Sequence, residues 1–435
     1  MTENELGAVF TCGAWSVQGG RFLVGLARDK YGTRNTVVTC LAMVCVGSVL
    51  IATSGSGNLA GMCFGMLFLG MGSGAQLCVQ PVASLFPEAT LTAMASLSGA
   101  FQLSGLVFLV CSQVGNTGAK RVGAYLGHAV LVSVLLGVSV KVLPKGVSFT
   151  EEVNTDNEGT GDPGSHNTKG GDTERGIGIG DGDAAPVAAV DVSLQTLHVS
   201  SPNQALLTVP THALPPAPAP TTRLVSPAAH FGKPRSALFA SDEFLALAVW
   251  FSVMVTPSQY YVLSIGYQLE RMGDDTGRFT TAFGLIYGGS APLAPLAGLL
   301  CDKCGVGFAQ LVATALSATG FAFLFIDDLN SQYFGMACYS VGRMMLFATF
   351  FANVGRRFGY AHYGSLVGTG MLTSAICSMT QYPGYQLALS GDTELKNVNA
   401  VCFALTMSCV PYCVWLGRRE RSEWRAFREA SETGV

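Results

Sequence analysis

A single arginine, Arg343, lies near the middle of an apolar segment, residues 332–354. A guanidinium at that depth of a bilayer costs at least about 2.5 kcal/mol and is too deep to snorkel readily to the interface. We therefore expect it to face the protein interior and to have a partner. Few acids occur at a matching depth, which favours a substrate carboxylate held by a bidentate fork that lysine could not form. A buried ion pair or carbonyl contact that only fixes helix packing is the alternative.

Five further polar side chains complete the predicted substrate site: Tyr339, Gln76, Gln80, Gln259 and Tyr260. Tyr339 precedes Arg343 by one helical turn and shares its face. Gln76 and Gln80 share a helix face for the same reason. The remaining two lie beside Pro257, where we expect the helix to break. These groups could bind an amino group and line a side-chain pocket, although polar residues in apolar helices often only form hydrogen bonds between helices.

Two short charged turns share the pattern Gly-x-x-x-Asp-Lys-x-Gly. The first contains Gly25, Asp29, Lys30 and Gly32 and ends at Arg34, and the second contains Gly298, Asp302, Lys303 and Gly305. The second turn lacks the final arginine. In both cases one apolar segment precedes the turn and another follows at once, so the chain consists of two related halves, as in many secondary transporters.

The two turns predict a contact that can form and break. The first glycine permits close helix approach, and the second permits a backbone conformation closed to other residues. The aspartate ends its own helix, where the dipole disfavours an anion, so a basic side chain or another helix N-terminus is the expected partner. We expect Asp29 to pair near His362 or with Arg34, and Asp302 to pair near the start of residues 95–114. A solvated loop that only sets topology is the alternative.

The composition predicts a polytopic membrane protein. Only 12% of the 435 residues are charged, against about 25% in soluble proteins, and the mean hydropathy is +0.40. Eleven apolar segments are long enough to span a bilayer: residues 6–27, 36–52, 58–83, 95–114, 122–143, 243–268, 278–300, 307–326, 332–354, 362–381 and 397–416. The net charge of −3 gives no reason to expect nucleic acid as a partner.

Basic residues in the short loops predict the orientation. Those that fall on one side are Arg28, Lys30, Arg34, Lys303, Arg356, Arg357, Arg418, Arg419 and Arg421. This side is therefore predicted to be cytoplasmic. The plasma membrane is the first expectation for the location, and an endolysosomal membrane is the alternative.

The two turns resemble the signature loops of the major facilitator superfamily, which lie between helices 2 and 3 and between helices 8 and 9. The resemblance implies an all-α membrane protein, with two pseudo-symmetric bundles and eleven visible spans, in which helix 1 is missing. We expect that the natural product begins upstream of Met1; an eleven-span protein is the alternative. The predicted domains are an N-terminal bundle at 1–144, a disordered cytoplasmic central loop at 145–236, a C-terminal bundle at 237–417 and a cytoplasmic tail at 418–435.

Shorter segments resemble solute carrier family 43, the large neutral amino-acid transporter branch, and the related apicomplexan amino-acid transporters. They include Leu85-Phe-Pro87, Ser98-Gly-Ala-Phe-Gln-Leu-Ser-Gly105, His362-Tyr-Gly364 and Gln381-Tyr-Pro383. This resemblance implies passage of amino acids across the bilayer by alternating access, without ATP, a cofactor or a metal. Proton coupling, sodium coupling and uniport all remain open.

Two other functions compete with amino-acid transport. One is transport of a different small organic solute, such as a monocarboxylate, a sugar or a drug-like cation. The other is a truncated membrane protein that does not transport. An enzyme is not expected, because the sequence contains no nucleophile–base set, metal cluster or nucleotide-binding loop.

Overall fold

The computed structural model describes residues 3–55, 57–87, 89–114, 118–146, 230 and 232–433, and in these ranges it contains helices and no strand. The helices of the first half are α1 Glu3–Tyr31, α2 Thr33–Thr53, α3 Leu59–Gly72, α4 Ala75–Val79, α5 Thr90–Val114 and α6 Gly118–Val142. A short 3₁₀ helix, Gln80–Leu85, follows α4. The helical backbone satisfies its own polar groups, as a bilayer requires.

The second half contains ten helices in the described ranges. They are α7 Arg235–Phe239, α8 Asp242–Arg271, α9 Arg278–Gly289, α10 Ala294–Cys304, α11 Val306–Phe323, α12 Leu329–Phe358, α13 Tyr363–Ser378, α14 Gln381–Leu389, α15 Asp392–Met407 and α16 Val410–Thr433. A 3₁₀ turn, Ala291–Leu293, joins α9 to α10. All these helices belong to one compact unit.

Eight segments of the described chain are long and apolar enough to cross a membrane. They are Thr33–Thr53, Leu59–Leu85, Arg121–Val142, Asp242–Arg271, Arg278–Cys304, Val306–Phe323, Leu329–Phe358 and Asp392–Glu429. The other three predicted spans lie in α1, α5 and α13, which are also helical. The all-α expectation is confirmed, and every predicted span is mostly helical, with short turns inside or at the ends of several of them.

The predicted break at Pro257 is wrong, because α8 runs without interruption from Asp242 to Arg271. Proline removes one backbone donor from a helix. Nearby, the Thr256 hydroxyl donates to the Ser252 carbonyl at 3.0 Å. The carbonyl that loses its backbone donor is that of Val253, four residues before Pro257, and the helix continues past it.

The C-terminal helix extends beyond the predicted last span, which ended at residue 416. Helix α16 continues to Thr433, so the predicted tail is helical over its described part. The Glu420 carboxylate accepts hydrogen bonds from the backbone N–H groups of Val306 (3.1 Å) and Gly307 (2.8 Å), at the start of α11. Glu420 therefore caps α11 and fixes the extension to the second bundle. Most of the predicted central loop, residues 147–229 and 231, lies outside the described residues.

Glu243, at the start of α8, forms the centre of a buried charge cluster. Its side chain is 1% exposed and accepts hydrogen bonds from Arg357 of α12, one of them 3.0 Å long. His230 lies 3.2 Å and Arg419 3.4 Å from the same carboxylate. Arg357 also binds Glu423 of α16. The cluster joins α8, α12, α16 and the end of the central loop.

Replacing Glu243 with glutamine is expected to lower the stability of the protein by about 3–5 kcal/mol, because the buried Arg357 then loses the more deeply buried of its two carboxylate partners. A melting curve of the detergent-purified protein measures the effect. Asp327→Asn removes one carboxylate of the exposed pair between Lys396 and Asp327 and is the matched control, with an expected change below about 1 kcal/mol. Equal melting temperatures for both variants would contradict the assignment.

Candidate functional site

Arg343 lies in the middle of α12 and is held by four hydrogen bonds to neutral groups. Its Nε donates to the Tyr287 hydroxyl (3.0 Å), and its Nη2 donates to Oε1 of Gln259 (3.0 Å). Its Nη1 donates to the hydroxyl groups of Ser258 (2.6 Å) and Tyr339 (3.3 Å). The side chain is 8% exposed. These partners fix the guanidinium in place without neutralising its charge.

Arg343 lines a cavity between the two halves of about 50 Å³. The wall is formed by Val17, Gln18, Arg21, Gln76, Ser98, Gln259, Tyr287, Arg343, Met344, Phe347 and Phe351. Among the residues that the structure describes, no acidic side chain belongs to this wall. The cavity is far smaller than the usual ligand pocket of several hundred Å³, so binding of an organic solute requires the halves to separate.

Three of the six predicted substrate residues line this cavity: Arg343, Gln76 and Gln259. Tyr339 lies behind the wall, where its hydroxyl donates to the Ser258 carbonyl and contacts Arg343. It positions the arginine. The predicted i, i+4 relation between these two residues therefore corresponds to a contact, although Tyr339 itself is fully buried.

Gln80 and Tyr260 lie outside the wall of this cavity, and their part in substrate binding stays a prediction. Gln80 begins the 3₁₀ helix after α4, and its side chain turns to the Ser98 hydroxyl at 3.1 Å. Gln80 keeps its α-helical relation to Gln76, because its backbone N–H donates to the Gln76 carbonyl, and Gln76 also faces α5 through a 3.4 Å bond to the Leu97 carbonyl. Tyr260 directly follows Gln259 in a continuous helix and so points about 100° away. It packs in an apolar cluster with Tyr261 and Phe321.

The residue that the prediction missed is Arg21 of α1. It is 0% exposed, and its Nη2 donates to Oε1 of Gln76 at 3.0 Å. The sequence carried the same signal that marked Arg343, a guanidinium inside an apolar segment. Arg21 lies close in sequence to the charged turn at residues 25–34, so it was not recognised as a separate buried charge.

The first charged turn meets the N-terminus of α13. The Asp29 carboxylate accepts a 2.8 Å hydrogen bond from the backbone N–H of Ser365 and a second bond from its hydroxyl. Arg28 contributes an ion pair at 3.1 Å. The alternative partner, Arg34, instead donates to the Leu143 carbonyl at the end of α6.

The second charged turn makes the same contact with α5. Asp302 accepts hydrogen bonds from the backbone N–H (3.2 Å) and hydroxyl (2.7 Å) of Thr92. Thr92 is the third residue of α5, as Ser365 is the third residue of α13. Each contact crosses from one half of the chain to the other. The lysines of both turns, Lys30 and Lys303, are exposed.

Glycine is required at both ends of each turn. A Cβ on Gly25 would lie 2.1 Å from the Gly364 carbonyl oxygen, and one on Gly298 would lie 2.3 Å from the Thr92 Cα. The second glycines, Gly32 and Gly305, have φ values of 81° and 91°. L-residues rarely adopt these angles. The first glycine therefore permits the contact between the halves, and the second permits the turn.

The family model of the Major Facilitator Superfamily matches residues 1–380, which is most of the chain. The chain belongs to the major facilitator superfamily. Members of this superfamily are membrane transporters of small molecules, so this facilitator is a multi-pass transporter whose substrate the match leaves unspecified. No curated protein sequence matches the chain at a significant level.

Solved structures of other facilitators share this fold. The human organic anion transporter MFSD10 (TETRAN) is 16% identical, with a TM-score of 0.56 over 96% of this chain and 86% of that chain. The proton:xylose symporter XylE is 11% identical, with a TM-score of 0.59 over 95% and 86%. The transporter FucP in the outward conformation is 12% identical, with a TM-score of 0.56 over 95% and 91%. At these identities the likeness extends to the fold alone.

Proposed function

We propose that this facilitator transports small organic solutes that carry a carboxylate, with amino acids as the first candidates, by alternating access. The observation that carries the proposal is the environment of Arg343. Its guanidinium reaches the cavity between the halves, and the wall described here contains no acid to neutralise it. A substrate carboxylate would supply the missing charge through strong, geometrically specific hydrogen bonds.

The two charged turns supply the conformational part of the mechanism. Asp29 and Asp302 each join one half of the chain to a helix N-terminus of the other half. Both contacts lie at the end of the bundles that is predicted to be cytoplasmic. With both contacts formed, that end is closed. Breaking them would let the halves separate and open the cavity to the cytoplasm.

The choice of amino acids over other carboxylates rests on the segments that resemble solute carrier family 43. Gln76 and Gln259 provide amide groups from the two halves of the chain that can bind a polar head group. Drug-like cations are disfavoured, because Arg343 would repel them. Sugars carry no anionic group that would use the guanidinium.

An uptake panel with the purified protein in liposomes tests the proposal. Counterflow of labelled amino acids, monocarboxylates, hexoses and an organic cation is measured on the same preparation. We expect flux only for solutes that carry a carboxylate. Flux of a hexose or of the cation, with none for any carboxylate, would overturn the proposal, and empty liposomes provide the background.

A further inference from the structure

The cavity that contains Arg343 also contains a second buried guanidinium. Arg21 belongs to α1 in the first half of the chain, whereas Arg343 belongs to α12 in the second half. Both side chains line the same cavity of about 50 Å³. Arg21 is fixed from its own half by Gln76, and Arg343 is fixed from its own half by Gln259. The two halves thus each present one held guanidinium to a shared space.

The remaining wall is neutral in the described residues. Its polar members are amides and hydroxyl groups, and the apolar members include Phe347 and Phe351. Two like charges that face a small, buried space with an uncharged wall repel each other more strongly than they would in water. A ligand with a single carboxylate can contact one guanidinium well but leaves the other facing its uncharged or positive end.

We propose that the preferred substrate carries two carboxylates at opposite ends, one bound by Arg21 and the other by Arg343. The class is that of short dicarboxylic acids, and it includes the acidic amino acids. This inference rests on the proposed function and narrows its substrate class. A neutral amino acid fits less well, because its only charged group besides the carboxylate is an ammonium, which the second guanidinium repels.

The same geometry connects the substrate to closure of the carrier. A dicarboxylate held by both arginines forms a bridge between the two halves, because each guanidinium is anchored in a different half. The repulsion between the two guanidinium groups opposes closure of the halves around the cavity, and the bound dicarboxylate offsets it. Binding and closure of the halves are therefore favoured together by the same ligand.

The test compares pairs of solutes that differ by one charge at nearly constant size. In counterflow with the full-length protein, we expect succinate to be preferred over succinamate, and glutamate over glutamine, by at least about tenfold. Arg21→Gln keeps a hydrogen-bonding side chain beside Gln76 but removes the charge. We expect the Arg21→Gln variant to bind succinate with an apparent affinity lowered about tenfold or more. Its apparent affinity for succinamate should stay within about threefold of the wild-type value. Arg271→Gln, at an exposed ion pair, is the matched control and should change neither.

A second measurement needs no variant, which covers the case in which Arg21→Gln does not fold. Succinate should raise the melting temperature of the purified wild-type protein more than succinamate does at equal concentration. Equal stabilisation by the two, or an unchanged succinate preference in folded Arg21→Gln, would overturn the inference while leaving carboxylate transport standing. If the proposed function itself is wrong, the result is different, because no carboxylate is transported at all.

Discussion

Replacing Arg343 with lysine is expected to abolish carboxylate transport while the protein remains folded and inserted. Lysine keeps the positive charge, but it cannot bond Tyr287, Ser258 and Gln259 and still present a planar fork to a carboxylate. Disturbing a buried, hydrogen-bonded charge pair costs about 2–5 kcal/mol, which is roughly 30-fold or more in affinity. Binding of a labelled substrate to the purified protein measures the loss directly.

The matched control is Arg271→Lys, in the same half of the chain. Arg271 forms an exposed ion pair with Asp392 at the end of α8, far along the helix from the cavity, so its replacement should leave affinity unchanged. Melting temperature and size-exclusion behaviour of both variants establish folding. An Arg343→Lys protein that binds carboxylates with normal affinity would show that Arg343 only fixes helix packing.

Replacing Asp29 with asparagine is expected to slow transport about tenfold, with substrate affinity retained. Asparagine can still accept a bond from Ser365, but it loses the charge that strengthens the bonds to the α13 N-terminus. Hydrogen bonds to charged groups contribute about 1.5–3 kcal/mol, so the loss of charge shifts the balance between closed and open ends. Initial rates at saturating substrate measure the effect.

The duplicated contact provides an internal comparison for this prediction. Asp302→Asn should slow transport for the same reason, and the double variant should show the two free-energy changes added, because the two contacts stabilise one closed state. Asp392→Asn, at the exposed pair with Arg271, is the control. If the Asp29→Asn variant transports at the wild-type rate, Asp29 only sets the membrane topology.

Sequence reasoning located the contacts that follow from pattern and depth. The spacing of the two turns and their pseudo-symmetry pointed Asp29 and Asp302 toward the starts of two distant helices, where the structure places them. The position of Arg343 inside an apolar segment required interior partners, and the structure supplies them. In both cases the cost of an unpartnered charge in lipid restricts the possible arrangements.

The sequence does not show which polar side chains reach the cavity, because this depends on how each helix packs against its neighbours. Gln80 keeps its α-helical relation to Gln76, but its side chain donates to Ser98, and Ser98 lines the cavity in its place. Tyr260 could not share the cavity with Gln259, since neighbouring helical residues diverge. Arg21 carried the same sequence signal as Arg343, but that the two line one cavity depends on which helices of the two halves meet, which is a tertiary question. Resemblance to a family gives that general arrangement but not the rotation of each helix about its axis.

The glycine-lined contact between α1 and α13 has a mechanical consequence. The backbones at Gly25 and Gly364 touch without side chains between them, and Gly368 meets the backbone of Phe22 in the same way. At these glycines no side chain lies between the two backbones, which reduces the side-chain repacking needed for the halves to move apart. The polar part of the cohesion there comes from the hydrogen bonds of Asp29 to Ser365. Once those bonds are lost, no polar contact of Asp29 holds the two helix backbones together, and we expect them to separate first at this end.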